Sequence, residues 1–255
     1  MRLPFFSSAK RAAAERPAPA VPPGTRIYAI GDVHGCAEEL RRLLDMIAAD
    51  HEARGPATLT IILLGDLMNR GPDAAGAIEQ ARALVASGTG RLLKGNHEEL
   101  FVKAARGDRA SVRALMVNGG AATLASFGLE QAEVERGDYG DLAALLKARI
   151  PRDIVSFLDA GEDKIALGDY LFVHAGIRPG VPIAEQAGSD LRWIRREFLH
   201  SREGHGAVIV HGHTITDGVD EQDNRIGIDT GAYRSGILTA IGLEGTARWY
   251  LATAG

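Results

Sequence analysis

The chain has 255 residues, 45% of them hydrophobic and 24% charged, with a formal net charge of −4. That length buries a sizeable core, and the charge balance excludes the basic excess of a nucleic-acid binder while leaving room for a local basic site. The lone cysteine, Cys36, permits no intramolecular disulfide and points to a reducing, cytoplasmic compartment, and no apolar run approaches the ~18 residues of a membrane span.

Residues 1–25 read as a flexible arm, with five prolines, scattered Arg and Lys and no apolar core of a signal peptide. One catalytic domain is expected over residues 26–255. From Arg26 a pattern repeats. "RIYAI" runs into Gly31-Asp32, "LTIILL" into Gly65-Asp66 and "RLLK" into Gly95-Asn96. Each is a short β-rich run, then glycine, then a small side chain bearing oxygen. Spacings of about thirty residues suit β–α–β units. Between the runs, Leu40, Leu43, Leu44 and Ile47 fall at helical spacing before Gly55-Pro56, and a second helix is predicted to open at Pro72 and close at Gly88.

Residues 98–160 predict a mainly helical excursion with Asn118-Gly119-Gly120 as a turn. Strands then return. "DKIAL" and "YLFV" are joined by Gly168-Asp169 as a hairpin, and "AVIV", "NRIGI", "GILTAI" and "ARWYL" follow. Parallel units first and hairpins later predict an α/β fold of mixed character, with one mixed sheet or two packed sheets.

The chemistry lies at the strand ends. Two later strands finish in His174-Ala-Gly and His211-Gly-His213, which join Asp32, His34, Asp66, Asn96 and His97. Carboxylates, an amide and imidazoles suit two divalent first-row metals rather than calcium or a thiolate zinc site, and a carboxylate such as Asp66 can bridge them. Arg70 offers a bidentate fork for a tetrahedral anion. A metal-bound hydroxide would attack phosphorus in line. The "DTG" at 229–231 is a single copy, whereas an aspartic protease needs two facing aspartates.

In order along the chain, GDVHG (31–35), GDLMNRG (65–71), GNHE (95–98), HAG (174–176) and GHT (212–214) resemble the signatures of the PPP-type metallophosphatases of the calcineurin-like phosphoesterase superfamily. "NGG" (118–120) and "IDTGA" (228–232) resemble the bacterial serine/threonine protein-phosphatase branch. The resemblance implies two packed mixed sheets flanked by helices. It implies a first metal on Asp32, His34 and Asp66, and a second on Asp66, Asn96, His174 and His213. Manganese is the expected ion, with iron, zinc or magnesium as alternatives. Arg70, Asn96 and Arg195, within "LRWIRREF" (191–198), would bind the phosphate, and His97 would be the general acid. His211 is expected to support or pack. His51, His200 and His205 are expected to be solvated, Cys36 to start a helix and Trp193 to anchor the core.

Asn69 departs from the pattern. Family members acting as protein phosphatases usually carry aspartate there, bonded to the general-acid histidine. Asn69 is expected to accept from His97 through its amide oxygen without charge, and losing a charged partner costs ~1–3 kcal/mol. The expected function is hydrolysis of phosphomonoesters, in phosphoserine, phosphothreonine or phosphotyrosine proteins or in phosphorylated small molecules, with no nucleic-acid or membrane partner. The alternative is a symmetrical dinucleoside tetraphosphatase, whose motifs are similar and lack that aspartate. A second alternative is a catalytically silent pseudophosphatase.

Overall fold

In the computed structural model, which describes residues 17–253, strand β1 (Thr25–Ile30) is buried on both faces. Ile27 and Ala29 join one apolar cluster, Tyr28 and Ile30 another. That period-2 alternation is what a strand between two covered faces requires. The chain continues through α1 (Ala37–Ala53), β2 (Thr58–Leu63), α2 (Ala74–Ala86) and β3 (Gly90–Leu92). Leu40, Leu43 and Ile47 are the buried stripe of α1. Helix α2 starts after Pro72 because the Asp73 carboxylate caps it, accepting from Gly76 N–H at 2.8 Å.

The helical excursion is α3 (Asn96–Ala105), α4 (Arg109–Val117), α5 (Gly120–Ser126), α6 (Gln131–Val134), α7 (Tyr139–Arg149) and α8 (Arg152–Asp159). The expected hairpin is β4 (Lys164–Leu167) and β5 (Tyr170–Val173). Short helices α9 (Gly188–Trp193) and α10 (Arg196–Leu199) lead to β6 (Val208–His211). Then come β7 (Asp220–Glu221), β8 (Arg225–Gly227), α11 (Ala232–Ser235), β9 (Thr239–Glu244) and β10 (Ala247–Ala252). β7 has too few residues to show any periodicity.

Among the described residues the strands form two five-stranded mixed sheets, ordered β10-β9-β1-β2-β3 and β4-β5-β6-β8-β7. Ile27, Ala29, Ile62 and Leu64 of the first meet Phe172, Val210 and Ile226 of the second in one core. Helices α1 to α8 cover the outer face of the first sheet, and Leu191, Ile194 and Phe198 cover the second. β1, β2 and β3 are parallel, as are β5, β6 and β8, so the carboxyl ends of each set share an edge. No helix among the described residues is long and apolar enough to cross a membrane.

Two expectations change. Residues 1–16 of the arm lie outside the described residues, but the rest of it is bound to the body. Val21 is buried with its N–H on Gly245 O at 3.0 Å, and Ala20 and Asp169 exchange hydrogen bonds. His51 is not simply solvated: its ring lies 2.9 Å from a guanidinium nitrogen of Arg26, which is fully buried and also bonded to Glu244. A cationic side chain inside the fold needs such partners.

Candidate metal centre

Five non-glycine residues among those described have positive φ: His34 (46°), Asp66 (51°), Asn69 (70°), Arg70 (72°) and His213 (64°). His34, Asp66 and His213 belong to the strand-end set read from the sequence, and Asn69 and Arg70 follow Asp66 in the GDLMNRG motif. Left-handed backbone costs of order 1–3 kcal/mol for such residues and persists only where the surroundings enforce it. Here the turns enforce one another. His34 N–H donates to Asp66 O at 2.8 Å, Gly71 N–H to His34 O at 2.9 Å, and Arg70 N–H to Gly119 O at 3.1 Å.

Glu98 fixes the central turn. Its fully buried carboxylate accepts from the backbone N–H groups of Asp66 (2.7 Å), Leu67 (2.7 Å) and Gly95 (2.8 Å). A Cβ on Gly95 would stand 2.2 Å from Asp66 Oδ1, so only glycine lets the two strand ends approach this closely. His97 N–H in turn donates to Asp66 Oδ1 at 2.9 Å. Burial beside Asp66 pushes the Glu98 carboxyl up to about 7 despite these donors.

The side chains converge in two buried triads, His34/Asp66/His97 and Asp66/His174/His213, whose donor atoms lie within 4.8 Å of one another and which share Asp66. Asp32 lies outside both, 3.9 Å from His34 Nε2, with both oxygens accepting from His213 N–H. Asn96 Oδ1 is 2.9 Å from His174 Nε2.

Proton counting shows what this set can hold. His174 donates Nδ1–H to Leu64 O at 2.8 Å, so in the neutral form that binds a metal the lone pair is on Nε2. That lone pair faces Asn96 Oδ1, His213 Nδ1 at 3.2 Å and Asp66 Oδ2 at 3.5 Å. His34 repeats the arrangement, with Nδ1–H on Met68 O at 2.8 Å and Nε2 3.7 Å from Asp66 Oδ2. Acceptors crowd on acceptors. Divalent cations resolve that crowding, and imidazoles oriented through their far nitrogen are the usual ligands. Burial pushes the His34 imidazole down to about 3 and that of His213 down to about 2, so these two rings are neutral. Burial, with Asp229 and Asp66 nearby, pushes the Asp32 carboxyl well above its ordinary range. Burial likewise lifts Asp229 to about 6. Added positive charge would relieve both carboxyls, so the residues fit a dinuclear metal site.

Around the triads, Arg70 bonds His34 Nε2 at 2.8 Å and reaches His97 Nε2 at 3.4 Å. Asn69 reverses the expected polarity. Thr123 hydroxyl accepts from Asn69 N–H at 2.8 Å and gives its own proton to Asn69 Oδ1 at 2.8 Å. The amide therefore turns Nδ2 to His97 Nδ1, at 2.5 Å, and donates where an oxygen was expected to accept. Thr123 is far from Asn69 in sequence, and nothing in its local pattern announces the contact.

Arg195 is exposed, yet its charge acts on His97, His213 and Asp229, whereas Arg196 turns to the outer surface with Glu197. His211 packs edge-on to Phe198 at 5.1 Å, outside both triads. His200 is exposed, and His205 is half-buried with its Nε2 enclosed. Cys36 is the N-cap of α1. Trp193 is 41% exposed and does not anchor the core, because Leu191, Ile194 and Phe198 fill that layer. Glu98 and Asp229 were not singled out from the sequence as site residues, although "GNHE" and "IDTGA" carry them.

A model of the calcineurin-like phosphoesterase family matches residues 25–235. The symmetrical bis(5'-nucleosyl)-tetraphosphatase of Methylococcus capsulatus is 30% identical, over 88% of this chain and 94% of its own length. The asymmetrical bis(5'-nucleosyl)-tetraphosphatase PrpE of Halalkalibacterium halodurans is 28% identical over 83% and 87%. A crystal structure provisionally assigned as a diadenosine tetraphosphatase superposes with a TM-score of 0.61 at 23% identity, covering 93% of this chain and 99% of that one. The Methylococcus relative carries the name of the alternative drawn from the sequence and PrpE that of its asymmetrical counterpart; neither is named a protein phosphatase.

Glu98→Gln keeps the shape of the clamp but presents an NH₂ group to N–H donors. Unfolding in urea is expected to show a loss of about 3 kcal/mol, with weaker manganese retention; a loss under about 1 kcal/mol would mean that the three bonds do not hold the turn.

Proposed function

The chain belongs to the calcineurin-like phosphoesterase family, and from that premise we propose that it hydrolyses dinucleoside tetraphosphates symmetrically, at the central phosphoanhydride. It is a metal-dependent phosphoesterase; the substrate and the residue roles are what is proposed. The observation that carries the substrate is the Asn69–His97 contact. Because Asn69 donates to Nδ1 at 2.5 Å, closer than Arg70 stands to Nε2 (3.4 Å), the neutral imidazole keeps its proton on Nε2 once Arg70 turns to the substrate, and a second proton on Nδ1 would meet the amide N–H. His97 is also held below the ordinary imidazole range by burial, with Arg70 adding to burial against the pull of Asp66. A ring that resists the imidazolium form is a weak general acid.

Leaving-group chemistry then selects the substrate. An alkoxide departing from phosphoserine needs a proton in the transition state, and general acids contribute roughly 10²–10⁴ to such steps. A nucleoside diphosphate is a stable anion at neutral pH and departs with little help. Relatives named tetraphosphatases over most of this chain support the same reading.

In this proposal Asp32, His34 and Asp66 would hold one divalent ion, and Asp66, Asn96, His174 and His213 would hold the other. The ions, when bound, supply charge to polarise phosphoryl oxygens and to activate water at neutral pH. Arg70 and Arg195 grip the non-bridging oxygens of the phosphate chain and align it for in-line displacement. His34 Nε2 cannot accept from Arg70 and bind a cation at once, so filling the site frees Arg70 for the substrate. His97 offers its Nε2–H to the departing oxygen as a hydrogen-bond donor. Thr123 positions Asn69 and so fixes that tautomer.

Two outcomes are expected. With manganese, diadenosine tetraphosphate should yield two molecules of ADP by ion-exchange chromatography, faster than phosphate is released from a phosphoserine peptide. ATP plus AMP would place cleavage off-centre, preference for the peptide would restore the protein-phosphatase reading, and silence on both would leave the pseudophosphatase. Asn69→Asp should raise the ratio of phosphoserine-peptide to p-nitrophenyl phosphate turnover about tenfold, because a carboxylate accepts Nδ1–H. An unchanged ratio would remove the contact from the account.

A further inference from the structure

Apart from Tyr139 and Val117, the large apolar side chains exposed among the described residues are Trp193 (41%) and Tyr233 (37%). Tyr233 stands beside the candidate centre against Arg70, and Trp193 shares a cleft with Arg195. Tyr233 lies on α11, directly after Asp229-Thr230-Gly231. Its ring meets His34 edge-on at 5.5 Å, and the Arg70 guanidinium carbon is 4.9 Å over its centroid. Trp193 ends α9, two residues before Arg195. Its indole N–H donates to Glu99 Oε2 at 3.1 Å, and Arg192 Nε holds the same carboxylate oxygen at 2.8 Å. Glu99 follows His97 by two residues on α3, so this pair of bonds ties the indole to the helix that opens with the site.

The indole edge is thus fixed while much of the ring stays open to solvent. It lines a cleft of about 530 Å³ with Arg178, Ile194, Arg195 and Arg196. Neither Arg195 nor Arg196 makes an ion pair among the described residues, whereas Arg178 is held by Asp190 and Glu197. An aromatic face beside an unpaired guanidinium matches a ligand with a flat π-system joined to an anion. Base–aromatic stacking tolerates any base, because every base has a π-face. Arg70 against Tyr233 is a second pairing of ring and guanidinium, free for a ligand once His34 releases it, and two such pairings match a ligand with a phosphate chain in the middle and a base at each end.

We propose that Trp193 and Tyr233 are stacking platforms for the two nucleobases of the substrate, with Arg195 and Arg70 beside them on the phosphate chain. This rests on the dinucleotide reading above and adds to it where the bases bind. A phosphopeptide would use the arginines but leave the two rings without a matched partner.

The test compares kcat/KM for diadenosine tetraphosphate with that for inorganic tetraphosphate, which lacks bases, in the manganese enzyme. In Trp193→Ala and Tyr233→Ala the ratio of the two should fall about tenfold each, near the lower half of the range for a lost base stack. Trp193→Phe and Tyr233→Phe keep a π-face and should restore most of it, which a merely structural role would not predict. Separately, ADP should quench tryptophan emission in the wild type and not in Trp193→Phe, which retains Trp249. If the wild type cleaves the dinucleotide and neither alanine variant moves the ratio, the platforms are refuted while the function stands. A wild type that ignores the dinucleotide defeats the function instead, and absence of quenching by ADP then overturns the Trp193 platform as well.

Discussion

Three backbone N–H groups from two different strand ends meet the Glu98 carboxylate, and the placement of Asp66 follows from that meeting. Asp66 belongs to both triads, so its position sets the distance between them. Its left-handed backbone is unfavourable by itself. Three charge-assisted hydrogen bonds, each worth about 1.5–3 kcal/mol, more than offset it. The same clamp explains the glycine at 95, where any side chain would separate the two turns. The GD and GN pairs of the sequence are therefore one joint seen from two strands.

The centre is tense in a second sense. Neutral imidazoles, carboxylates and an amide oxygen direct lone pairs into a volume from which water is largely excluded. Such a cluster opposes folding unless cations join it, so metal affinity and stability are coupled. Arg70 answers part of the need by bonding His34 Nε2. The arginine proposed to bind the phosphate thus doubles as a partial counter-charge. In the proposed reaction, hydrogen-bond polarity at Asn69 would add selectivity on top of this electrostatic core, since it would act on the leaving group rather than on the attacked phosphorus.

Much of this was legible in the sequence. Strands running into Gly-Asp, Gly-Asn, His-Ala-Gly or His-Gly-His pointed to every member of both triads, because each sits one to five residues past a strand end and the parallel order shares those ends. The mixed α/β character followed from the switch between helical connections and hairpins, which left one sheet or two open, and the resemblance to the metallophosphatases implied two. What escaped was long-range. Thr123 reaches Asn69 from a helix of the excursion, and only that contact fixes which way the amide points. Tyr233 looks like an ordinary residue after "TGA" until α11 turns it toward Arg70. Trp193 misled because tryptophan usually anchors a core, and here Ile194 and Phe198 take that place. His51 looked solvated because its partner, Arg26, comes from the opening strand.

The central claim is that Asp66 joins two ions in one centre. Counting bound manganese by equilibrium dialysis, for the wild type and Asp66→Asn side by side, tests it most directly. The account predicts two ions per chain in the wild type and no more than one in the variant. One ion or none in the wild type, or two in Asp66→Asn, would contradict it.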